Sequence, residues 1–154
     1  MDTRTPEQRS HIMRSVRTRH TGPEMLVRKT SHALGLRYRL HRKSLPGTPD
    51  LVFPKHSAVI FVNGCFWHGH GCPKGKLPKS RLDFWVPKIQ HNRDRDAESV
   101  KQLRSKGWRV LTIWQCQTKD LVRVRTKLKN FFLTSQNKRS RSAHRANGGL
   151  RKNT

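Results

Sequence analysis

Ala58-Val59-Ile60-Phe61-Val62-Asn63-Gly64-Cys65-Phe66-Trp67-His68-Gly69-His70-Gly71-Cys72-Pro73 passes from an apolar run straight into a loop dense in cysteine, histidine and glycine. The unbroken apolar residues 58–62 predict a strand covered on both faces. Residues 63–81 hold four Gly and two Pro with few aliphatics, which predicts a loop. The residues best suited to chemistry therefore leave the end of a buried strand.

Upstream, Leu45-Pro46-Gly47-Thr48-Pro49 is a turn-rich stretch that feeds a strand over 50–53. An earlier strand is predicted over 36–40. A helix starting near Pro23 carries Met25, Leu26, Thr30, Ala33 and Leu34 at helical spacing and stops at Gly35. Thr5-Pro6-Glu7-Gln8 opens a first helix: Thr5 caps it, Pro6 sits in the first turn and Gln8 closes a capping box. Its apolar stripe is Ile12, Met13 and Val16, surrounded by Arg9, Arg14, Arg17 and Arg19.

Downstream, 87–106 reads as a helix with Ile89, Val100 and Leu103 inside and Gly107 as its stop. Residues 108–114 alternate like a strand, and 120–133 resemble a last amphipathic helix. The order ααβββαβα predicts an α/β fold, a mixed sheet flanked by helices. One domain spans 1–133, with 1–20 as its N-terminal helix. Residues 134–154 form a basic, Ser/Asn/Gly-rich tail, read as disordered and suited to serve as a nucleic-acid arm.

The chain of 154 residues has 34 Lys and Arg against nine Asp and Glu, a net charge of +25. Such an excess makes a polyanion the expected partner. With the six bases of the tail set aside, residues 1–133 keep 28 bases against the nine acids, a net +19, so the folded body is basic by itself. Only 32% of residues are hydrophobic, but four Trp and six Phe suggest that a core exists. No apolar run approaches the ~18–20 residues of a membrane span, and the N-terminus shows no signal peptide. Three cysteines give no disulfide framework, which fits a reducing cytoplasm.

Those cysteines are Cys65 and Cys72 in the loop and Cys116 just past the 108–114 strand. Thiolate and imidazole are the donors that a tetrahedral structural zinc prefers. Cys65, His70, Cys72 and Cys116 supply a Cys3His set, although His68 and His70 are equally eligible by type. A core-poor domain gains from such a staple, because metal binding adds to folding free energy.

Nuclease chemistry needs a carboxylate that holds a divalent metal at the phosphate. Of the nine acids, Asp2 and Glu7 lie near the N-terminal end, and Asp94, Asp96 and Glu98 share a helix with many bases. Asp83 and Asp120 stand where helices start, as the macrodipole favours. Glu24 and Asp50 remain, the second at the mouth of a strand just after a tight turn.

The motifs Leu45-Pro46-Gly47-Thr48-Pro49-Asp50 and Gly64-Cys65-Phe66-Trp67-His68-Gly69-His70-Gly71-Cys72-Pro73 together resemble the very short patch repair endonucleases. Phe84-Trp85, Lys106-Gly107-Trp108-Arg109-Val110 and Cys116 extend the resemblance over about 5–133. It implies a restriction-endonuclease-like fold with a structural zinc, and magnesium as the catalytic cofactor. It also implies a substrate: double-stranded DNA with a T:G mismatch left by deamination of 5-methylcytosine, nicked 5′ of the thymine. By position, Asp50 binds magnesium, Val62 offers it a backbone carbonyl, His68 is the general base and Glu24 its acidic helper. Cys65, His70, Cys72 and Cys116 match the zinc ligands, which resolves the choice between the two histidines. Phe66, Trp67 and Trp85 match aromatics that wedge into the base stack.

A better-known member of that family has Thr where this chain has Val62 and His where it has Asn63. Val62 keeps a carbonyl but no hydroxyl; Asn63 can hydrogen-bond a phosphate but cannot exchange a proton near neutral pH. The resemblance further implies a bacterial cytoplasmic, DNA-bound monomer with MutL-type mismatch-repair proteins as partners. The competing reading is a non-catalytic, zinc-stapled nucleic-acid-binding module, which the charge, zinc and aromatics fit equally well.

Overall fold

The fold was obtained as a computed structural model; it describes residues 5–8, 11 and 20–146, with side chains as far as Thr134. Helix α1 spans Gly22–Ala33, followed by strands β1 (Arg39–Leu40), β2 (Leu51–Phe53) and β3 (Ala58–Asn63). Helix α2 (Leu82–Ser105), strand β4 (Arg109–Trp114) and helix α3 (Leu121–Ala146) complete the order. The strands form one sheet in the order β1-β2-β3-β4, antiparallel across the first two pairs and parallel across the last. Parallel pairing of β3 with β4 requires a crossover, and the loop after β3 together with α2 provides it.

Strand periodicity divides the core in two. Leu51, Phe53, Ala58, Ile60 and Ile113 face one side with Val27 of α1 and Val124, Leu128 and Phe132 of α3. Their alternates Val52 and Val59 face the other side against Leu103 of α2, with Phe61, Trp108 and Val110 around them. A mixed sheet with helices on both faces is thus the expected architecture.

Several local details match the sequence reading. Thr5 Oγ1 accepts from the Gln8 N–H at 3.2 Å while Gln8 Oε1 accepts from the Thr5 N–H at 3.0 Å, which is the capping box. Asp120 Oδ1 accepts from the Arg123 N–H at 3.2 Å at the head of α3. Most of the expected N-terminal helix, including Ile12, Met13 and Val16, lies outside the described residues.

Three expectations change. The buried stripe of α1 is Glu24, Val27, Arg28 and Ser31, not Met25 and Leu26. Helix α2 begins at Leu82, so Pro87 lies inside it; its missing N–H frees a carbonyl in a turn whose residues 82–84 face solvent. Helix α3 continues past residue 133 to Ala146. No Gly or Pro interrupts 134–146, so extending the helix costs little, and a tail read as disordered from 134 is helical over those residues.

Candidate functional site

The loop after β3 folds back so that Cys65, His70 and Cys72 meet Cys116, which arrives from the turn after β4. One ligand atom from each of the four lies within 4.8 Å of the others. His70 Nδ1 is 3.5 Å from Cys116 Sγ, and the Cys116 N–H donates to Cys65 Sγ at 3.3 Å. Gly75 closes the loop: a Cβ there would fall 1.8 Å from the His70 carbonyl oxygen, so only glycine fits. Burial pushes the Cys65 thiol up to about 11. Burial acts the same way on Cys72, but hydrogen bonds from His70, Cys65 and the Gly75 and Lys74 amides outweigh it and bring that thiol down to about 6. A low-pKa thiol beside an imidazole and further sulfurs is a donor set fitted to zinc. The His70 ring stacks on Trp114 at 4.2 Å between centroids, which ties the cluster to β4.

Trp114 also lines a cleft of about 790 Å³. Asp50, Val62, Asn63 and His68 line it, together with Asp96 and the guanidinium-bearing Arg93, Arg95 and Arg104 of α2. Asp50 sits where the chain enters β2, and its Oδ2 accepts from the Val62 N–H at 2.7 Å. Burial raises the Asp50 carboxyl to about 6; the Val62 amide opposes this, Glu24 adds to it, and His41 and His68 pull it back down.

Glu24 does not help His68, as the family pattern had implied. Its Oε1 is 2.5 Å from Arg28 Nη2 and 2.6 Å from His41 Nε2, with only 2% of the side chain exposed. His41 Nε2 is in turn 3.8 Å from Asp50 Oδ1. The polar face of α1 is buried because it supplies this network. The acid beside His68 is Asp96, whose Oδ2 lies 2.5 Å from His68 Nδ1. With Nδ1 bound to a carboxylate, Nε2 is left as the proton-accepting nitrogen.

His41 and Asp96 were therefore missed. Asp96 had a readable signal: it follows Ile89 by seven residues and precedes Leu103 by seven, on the inward stripe of α2. The same stripe holds Asn92, whose Nδ2 donates to the Trp67 carbonyl at 2.9 Å and fixes the loop against the helix. Signals for His41 were absent, because a two-residue strand and an irregular turn place it.

Phe66, Trp67 and Trp85 pack into one half-buried group, with ring centroids 5.1 to 5.9 Å apart. Phe84 extends it edge-on at 5.0 Å and is 44% exposed. The group stands at the rim formed by the loop and the start of α2.

Known proteins place these features in a family. The profile of the family described as DNA mismatch endonuclease Vsr matches residues 1–74. A type II nicking enzyme, V.XorIIP of Xanthomonas oryzae pv. oryzae, is 54% identical over 131 residues, covering 85% of this chain and 96% of that protein. V.NmeAIP of Neisseria meningitidis, also a type II nicking enzyme, is 41% identical over 82% of this chain and 91% of its own. The DNA mismatch endonuclease Vsr of Escherichia coli is 39% identical, covering 88% of this chain and 84% of that protein. Among solved structures, the catalytic domain of the homing endonuclease I-Bth0305I superposes with a TM-score of 0.53 at 23% identity, covering 75% of this chain and 97% of that one. That last likeness shows a shared fold. The extent of the sequence matches shows the family: this chain belongs to the Vsr family of DNA endonucleases.

Proposed function

We propose that the protein is a magnesium-dependent, strand-specific endonuclease that nicks duplex DNA 5′ of the thymine in T:G mismatches, starting very short patch repair. The observation that supports this best is Asp50, backed by Glu24 and His41, in the same basic cleft as the His68–Asp96 pair. The Asp50 carboxylate and the Val62 carbonyl are hard oxygen donors that would hold magnesium, which would supply charge neutralisation at the scissile phosphate. Asp96 holds His68 so that Nε2 accepts the proton of the attacking water. Arg93, Arg95 and Arg104 grip backbone phosphate, and Asn63 hydrogen-bonds a phosphate without taking part in proton transfer. Residue Val62 needs no hydroxyl for the role given to its carbonyl.

Phe66, Trp67 and Trp85 act as the wedge at the mismatch. A T:G step costs less to unstack than a paired one, so insertion selects the lesion through deformation energy. Cys65, His70, Cys72 and Cys116 would hold zinc, which would fix the loop that carries Phe66, Trp67 and His68. The relatives' names, a mismatch endonuclease and type II nicking enzymes, support the mismatch and single-strand parts of this reading. The protein works as a monomer in the bacterial cytoplasm on chromosomal DNA, with MutL-type proteins as partners.

A panel of duplexes with T:G, A:C and paired T:A in a methylation-type sequence context tests the proposal in magnesium. Preferential nicking 5′ of the mismatched thymine is expected. Tight binding without cleavage of any duplex at stoichiometric, zinc-loaded protein contradicts it and points to the non-catalytic binding module.

A further inference from the structure

His41 is the group that joins the two buried acids of the cleft. Its Nε2 lies 2.6 Å from Glu24 Oε1 and 3.8 Å from Asp50 Oδ1, and 12% of the side chain is exposed. One ligand atom from each of Glu24, His41 and Asp50 comes within 4.8 Å of the other two. An ion bound at ~2.0–2.2 Å keeps its ligand atoms within about 4.4 Å of each other, so small side-chain adjustments close the set.

The backbone commits to this placement. His41 has φ 42°, in the left-handed region that residues with a Cβ adopt at a cost. Its N–H donates to the Asp50 carbonyl at 3.3 Å, so the strained residue is tied to the very acid it approaches. Arg28 Nη2 holds the same Glu24 Oε1 at 2.5 Å. In the metal-free cleft the 2.6 Å approach of Nε2 to Glu24 Oε1 is a hydrogen bond, and a cation that takes both atoms displaces its proton.

We propose that His41 Nε2 is a direct metal ligand alongside Glu24 and Asp50, so that this centre prefers Mn2+ or Co2+ to Mg2+. Imidazole suits the borderline first-row ions, whereas magnesium takes oxygen and holds its waters. The inference rests on the reading of the cleft as a metal-dependent nuclease centre: magnesium stays the ion of the proposed reaction, and a nitrogen ligand makes the same centre bind Mn2+ or Co2+ more tightly.

Electron paramagnetic resonance of Mn2+ added to the zinc-loaded protein, with zinc verified at one per chain, tests it. Manganese has little affinity for thiolates, so the cysteine cluster does not compete. The wild-type complex is expected to show 14N coupling from an imidazole. His41→Gln should abolish that coupling and weaken Mn2+ binding about tenfold or more, with Mg2+ affinity changing less than about threefold. His68→Ala should keep the coupling. Absence of 14N coupling in the wild type, its survival in His41→Gln, or an equal loss for both ions overturns the assignment. Nicking of a T:G duplex by the same wild-type preparation separates the two claims. Nicking with a His41-independent manganese signal defeats the ligand role alone, and a His41-dependent signal without nicking defeats the nuclease reading alone.

Discussion

Asp50 is held in a state that suits a metal better than it suits the fold. Its carboxyl is raised to about 6 by burial, above the ~3.9 of a free aspartate. A raised acid favours folding while protonated, so its contribution is complete below about pH 4 and is lost as pH rises through about 6. At pH 7.5 the ionised group costs about 1–2 kcal/mol, since the side chain keeps 20% exposure and solvent screens it. Asp50→Asn should therefore stabilise the metal-free protein by about that amount at pH 7.5 and by almost nothing at pH 4. Urea midpoints at the two pH values check this, and identical shifts at both would refute the sign. Asp96 acts at one remove, by orienting His68. Asp96→Asn should lower kcat about a hundredfold with little change in KM for mismatched DNA, and unchanged turnover would remove Asp96 from the pair. Asp50 was legible in sequence because a Pro-Gly turn delivers it to a strand end. Its neighbours were not: His41 is bonded to an acid 17 residues away and His68 to one 28 residues away, and no local rule spans such gaps.

The elements that matter most for the site are the loop 64–75, helix α2 packed against it, and helix α1, which supplies Glu24. Gly69 adopts φ 62° against Ile89 and Arg93 of α2, and Gly75 passes under the His70 carbonyl. Gly75→Ala should cost about 2 kcal/mol or more and weaken zinc retention, because the clashing atom is backbone and cannot rotate away. Gly71, which has nothing within 4 Å of a built Cβ, supplies the control: Gly71→Ala should melt within a few degrees of the wild type. Thermal unfolding and zinc analysis of both variants decide the matter, and equal behaviour would mean the loop has room that its geometry denies. The cysteine and histidine content of this loop was plain in the sequence, and so was the strand that launches it. Less legible was α1, whose inward face is Glu24, Arg28 and Ser31. Hydrophobic periodicity looks for an apolar stripe and passes over a polar one that is buried in an ion-pair network. The start of α2 was hidden for a similar reason, since Pro87 reads as a helix opening and is here an interior residue.

At the scale of the whole molecule, charge and fold are separable. Strand alternation and turn residues carried the mixed sheet, while the +25 says nothing of fold and everything about the partner. Arginines from α2 point that charge at the cleft rather than spreading it evenly. Binding to undamaged duplex should fall with a log–log salt slope of about −5 or steeper, measured by fluorescence anisotropy between 50 and 200 mM salt. A flat dependence would mean that phosphate contacts are few and that the basic surface serves something else. The nuclease reading itself is tested most directly by single-turnover cleavage of a T:G duplex, comparing wild type with Asp50→Asn at equal DNA occupancy. The wild type should nick one strand 5′ of the thymine, and Asp50→Asn should bind as tightly and leave the duplex intact. Cleavage by Asp50→Asn at the wild-type rate would contradict the placement of the metal-dependent chemistry in this cleft.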